Sequence, residues 1–172
     1  MKKSTAQGSS ARSSRSKKAA QQPIRREVWA LILVILALCV MVSYCGVRAI
    51  LIDWLAVLLK GLFGYGYWLA APSLLLASSI LFFHHGRPVQ LRTTCALLLP
   101  LLLGTLGHIL FAPNTYESGW SILAALWKDG LSLQGGGAVS GALAEGAVAV
   151  FSKIAAVVIF TALFLIAGMV SL

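Results

Sequence analysis

Four stretches of the chain run for eighteen residues or more without an Asp, Glu, Lys or Arg: 28–47, 62–83, 95–112 and 154–172. None alternates apolar and polar positions as a barrel strand does. A hydrocarbon core of roughly 30 Å takes about 20 apolar residues in a helix rising ~1.5 Å each. Lipid offers no partner to backbone N–H and C=O groups, so each stretch predicts a helix that satisfies its own backbone. The pattern predicts an all-α polytopic membrane protein with four transmembrane helices. Two shorter patches add interfacial helices on the outer face. Residues 50–59 are apolar except for Asp53 and too short to span, and they would set Trp54 at headgroup depth. Trp120 and Trp127 stand seven apart, near one helical face, and predict a second surface helix.

Composition agrees with that class. Hydrophobic residues make up 59% of the chain and charged residues 11%, with a mean hydropathy of +0.87, too little charge to cover a water-exposed surface. The N-terminus is the exception. Residues 1–24 are mostly Ser, Ala, Gln, Lys and Arg with no aromatic, and are expected to form a disordered basic tail that buries too little to order itself. Of the 14 basic residues, 8 lie before Glu27, including Arg25 and Arg26. Phosphate contact with DNA would also use such charges, but no aromatic interleaving or folded motif accompanies them. They read as a positive-inside flank that touches anionic lipid.

The charges also orient the chain. Placing the tail and the connection with Arg87 and Arg92 inside leaves only Arg48, Lys60, Lys128 and Lys153 outside. Arg25, Arg26, Arg87 and Arg92 thus become topology anchors, and residues 25–172 a four-span domain with a cytoplasmic N-terminus. An even number of spans returns Leu172 to the same face. A cleaved signal peptide would share the basic start, but the first run exceeds the usual ~7–15 residues and lacks an A-x-A site.

Candidate chemistry is sparse. Gly141 and Gly146 have the gap of a Walker A loop, but Ala147 and Val148 stand where Lys and Ser/Thr are required. Gly119-Trp-Ser121 with His108 as base lacks a third orienting group. His84 and His85 have no carboxylate near them in sequence, and Cys39, Cys45 and Cys95 lack metal-ligand spacing. No catalytic, metal or cofactor residue is nominated, and no cofactor is expected in this chain. Pro100, Gly104 and His108 recur at i, i+4, i+8 with Gly107 beside them. They predict a small-residue packing stripe whose histidine finds a partner near the outer interface. Gly137 and Gly141 form a second small-xxx-small pair beside Gly136.

The stretch Leu62-Phe-Gly-Tyr-Gly-Tyr-Trp-Leu-Ala-Ala-Pro72, with Gly64, Gly66 and Pro72, opens the second span. Gly136-Gly-Ala-Val-Ser-Gly-Ala-Leu-Ala144 precedes the fourth. With the basic tail and both ends inside, these resemble the N-terminal membrane region of the FtsK/SpoIIIE family of bacterial DNA translocases, over residues 25–172. The family often has Gly-x-x-Gly just before the last span, where this chain has Phe151-Ser-Lys-Ile-Ala155. The resemblance implies an inner-membrane anchor at the division septum for a cytoplasmic ATP-driven DNA pump serving chromosome segregation. It also implies a homo-hexamer and septal division proteins as partners. The motor is absent from these residues, so ATP and DNA would be engaged only by a continuation past Leu172. The alternative is a small transporter or channel subunit acting as an oligomer, which would need a polar face inside the spans.

Overall fold

The computed structural model describes residues 8–83, 89–112, 116 and 121–172, with side chains from Arg26 onward. Among them are seven α-helices, one 3-10 turn and no strand. These are α1 (Gly8–Tyr44), α2 (Ile50–Phe63), a 3-10 turn (Gly64–Gly66), α3 (Tyr67–Phe83), α4 (Val89–Phe111), α5 (Ser121–Leu131), α6 (Gly137–Phe151) and α7 (Lys153–Ser171). Among the described residues four segments are long and apolar enough to cross a membrane: Arg26–Tyr44, Ile50–Phe83, Val89–Phe111 and Lys153–Ser171.

The boundaries differ from expectation for local reasons. Residues 8–24, expected to lack order, continue α1 toward the N-terminus. Ala, Lys, Arg and Gln favour helix, and a helix already formed downstream removes the nucleation cost. At its other end α1 stops at Tyr44 rather than at residue 47, just before Gly46 turns to φ 76°. The second span does not start as helix at Leu62. Leu62 and Phe63 close α2, Gly64 takes φ 48°, and α3 begins only at Tyr67. Pro100 lies inside α4, which is nonetheless continuous over 23 residues.

The spans form a row in which α1 packs on α3, α3 on α4 and α4 on α7. Small residues set the close approaches: Ala70 and Ala71 of α3 meet Val40 of α1, and Ala77 of α3 joins Ala96 of α4. Tyr44 locks the first pair, donating its hydroxyl to the Tyr67 carbonyl at 2.5 Å and accepting the Ala71 N–H at 3.3 Å.

The row is uneven at one end. Any side chain at Gly66 would run into the carbonyl of Pro100, so α3 starts level with the middle of α4. Phe111 closes α4 eleven residues later, about 16 Å further along the axis. Around this projecting end α2, α5 and α6 pack on one another, and α2 and α6 on α4, forming a helical cap. The two surface helices expected from the sequence are therefore cap elements, and α6 is a third that was not expected. Ile50, Leu51, Trp54 and Val57 keep an exposed apolar face on α2. At the far end of the row Phe160 and Ala156 of α7 share a buried cluster with Leu106 and Ile109 of α4 and Ala144 of α6.

Candidate functional site

The two glycine-bearing stretches meet inside the cap. The backbone N–H of Tyr65 donates to the carbonyl of Gly135 at 3.1 Å. Gly64 and Gly137 hold left-handed backbone, at φ 48° and 77°, where a Cβ is unfavourable. Each lies against main chain from the other stretch, Gly64 beside Gly135 and Gly137 beside Leu62. Gly104 faces the Phe63 carbonyl and Ser140, Gly107 lies under the Tyr65 ring, and Gly136 abuts the Cβ of His108. Gly141 meets the side chain of Leu126, which is fully buried. The predicted stripe of Pro100, Gly104, Gly107 and His108 is buried along α4 and faces these two loops. Pro72 is a correction: expected among the packing residues, it is exposed on α3. Its effect is on the backbone, since a proline cannot donate to the carbonyl four residues earlier.

His108 is the hub of the polar contacts. Its side chain is 1% exposed, and its Nε2 lies 3.1 Å from Oε1 of Glu145 on α6, whose side chain is 39% exposed. Its Nδ1 accepts the backbone N–H of Gly136 at 3.0 Å. A backbone amide can only donate, so Nδ1 carries no proton and the ring is the Nε2–H tautomer, donating to Glu145. Tyr116 stacks on the imidazole with centroids 5.4 Å apart. The Tyr116 hydroxyl donates to Oδ2 of Asp129 on α5 at 2.7 Å. Burial, and then the bond to the Asp129 carboxylate, push the Tyr116 phenol well above its ordinary range, so it stays a donor. One histidine thus touches α6, the loop before it and the connection after α4.

Ser140 sits at the floor of this region, fully buried, and its hydroxyl has no hydrogen-bond partner among the described residues. The other buried serine and threonine hydroxyls are satisfied within their own helices. Ser73 donates to Ala70, Ser78 to Leu75, Thr105 to Leu101 and Ser171 to Gly168, all through backbone carbonyls. Such bonds turn the span hydroxyls back on the helix that carries them.

The basic anchors lie at the opposite end of the row. Arg26 donates to the Leu81 carbonyl at 3.2 Å, in the last turn of α3. Carbonyls there have no helical donor, and a cation beside them is favoured by the helix dipole. Arg92 is half-buried in the first turn of α4. Arg25 is within α1 by its backbone alone, and Arg87, His84, His85 and Trp120 lie outside the described residues. Ser121 is exposed at the start of α5, and both nitrogens of His108 are engaged elsewhere.

Sequence reasoning missed Glu145 and Gly136 as the partners of His108. The signal was present, since Glu145 is the single charged residue in the apolar stretch that forms α6. Among the described residues no group of three or more His, Cys, Asp or Glu side chains is placed to hold a metal ion. Comparison with known proteins found no matching family model, no matching curated protein and no matching solved structure.

Proposed function

We propose that this chain is the membrane anchor of a DNA translocase of the FtsK/SpoIIIE type, tethering a cytoplasmic ATP-driven pump at the division septum of a bacterial inner membrane. The observation that carries the reading is the meeting of the two stretches on which the resemblance rests. Tyr65 bonds Gly135, and Gly64 and Gly137 each approach main chain of the other stretch. Those residues serve close packing of a rigid cap, which suits a part that holds position. The row of spans, with Ser73, Ser78, Thr105 and Ser171 bonded to their own helices, favours an anchor over a solute path. In this reading the chain contributes attachment, septal recruitment and ring assembly, and chemistry belongs to a motor beyond α7.

Two measurements test it. The reading frame after codon 172 is expected to encode a linker and then a Walker A motif, and a stop codon there sinks the proposal. A fluorescent fusion is expected to gather at midcell in dividing cells. Uniform membrane fluorescence through the division cycle counts against septal recruitment and leaves the transporter or channel subunit as the better reading.

A further inference from the structure

We propose that His108 is a proton-operated latch: as a neutral imidazole it holds the 135–137 loop against α4, and on protonation it lets that loop go while keeping Glu145. This inference stands apart from the anchor reading, because it rests on one ring and the groups around it.

The Gly136 N–H points at Nδ1 from 3.0 Å and fixes that nitrogen as an acceptor. An imidazolium has two donors and no acceptor. A proton arriving at Nδ1 would set two N–H groups face to face at that distance, with the ring nearly sealed from water. The ring cannot easily turn aside, because Tyr116 covers one face and Gly136 lies against its Cβ. The loop is the part that can yield, and its other tie is the Tyr65–Gly135 backbone bond.

The surrounding groups set the direction. Glu145 of α6 attracts an imidazolium and keeps its bond to Nε2 in either state. Asp129 of α5 adds negative charge at second hand through the Tyr116 hydroxyl, and the Tyr65 ring of the turn lies over Gly107. The Gly136 amide is the group that a second ring N–H would meet, and opening the loop removes it. Acid therefore loosens the cap on the face where α2, α5 and α6 meet.

The test is hydrogen exchange across residues 132–138 in the full chain held in nanodiscs, corrected for the intrinsic pH dependence of exchange. Opening takes up one proton, so exchange should quicken as acid is added, by up to about tenfold per pH unit. His108→Asn places a side-chain oxygen near the Nδ1 position and does not titrate, so its exchange should be flat. A flat wild-type profile, or an acid step that survives in His108→Asn, overturns the latch. So does a step lost in Glu145→Gln but kept in His108→Asn, which would assign it to the carboxylate. Nitrogen NMR of the wild type supplies a check that needs no variant. Nδ1 should be bare at neutral pH, and a protonated Nδ1 there also overturns the proposal.

Discussion

The backbone N–H of Tyr65 donates to the carbonyl of Gly135 at 3.1 Å, joining loops seventy residues apart in the chain. Around this bond the main chains of the 3-10 turn, of α4 and of the loop before α6 approach too closely for side chains between them. The stability of the cap should therefore depend on the absence of Cβ atoms at particular positions.

Gly66→Ala is expected to destabilise the protein by about 1–3 kcal/mol, because the new methyl meets the Pro100 carbonyl, which belongs to a helix and cannot swing away. Gly146→Ala in α6 is the matched control. Nothing lies within 4 Å of its absent Cβ, so it should be neutral or stabilising by up to about 1 kcal/mol. Thermal unfolding of the two variants in the same detergent compares them directly. Equal losses would contradict the packing account.

Tyr44→Phe removes a hydroxyl that bonds α3 twice. Loss of the two bonds should cost about 1–3 kcal/mol and loosen α1 from the row. Hydrogen exchange should rise first at the start of α3, with α4 and α7 little changed. Exchange that rises uniformly would show that α1 is held by other means.

The His108–Glu145 pair calls for a double-mutant cycle at neutral pH, using His108→Asn and Glu145→Gln. Glu145 is partly exposed to solvent, so a coupling of about 0.5–1 kcal/mol is expected rather than the larger value of a sealed pair. A coupling near zero would mean that the two side chains are neighbours without being partners.

Tyr116 gives a signature in alkali. Its phenol is raised in the folded state, so the folded protein holds that proton longer than the unfolded chain does. The stability this provides is fully present below the ordinary tyrosine value of about 10 and is lost as pH rises above it. Unfolding followed from pH 9 to 11 should show the decline, and Tyr116→Phe should make it shallower. An unchanged slope would rule Tyr116 out as its source.

Sequence reading succeeded at the long apolar runs. The runs around Leu31, Leu76, Leu102 and Leu163 admit no structure but helix once water is excluded, and helices stand there. It failed where packing between distant segments decides. The stretch from Gly137 to Phe151 looked like a glycine-rich connection, yet its alanines favour helix and its glycines fit against Leu126 and Leu62. The break at Gly64 depends on a backbone turn that only the approach of Gly135 explains. For His108 the stripe on α4 was legible, but its pairing with Glu145, 37 residues away on another helix, depends on tertiary packing.

The row arrangement of the spans has a geometric consequence for anything attached to this protein. Helices pack with axes about 8–10 Å apart, so three successive contacts separate α1 from α7 by up to roughly 30 Å. Anything fastened ahead of α1 and anything fastened behind α7 would therefore hang from opposite edges of a narrow plank.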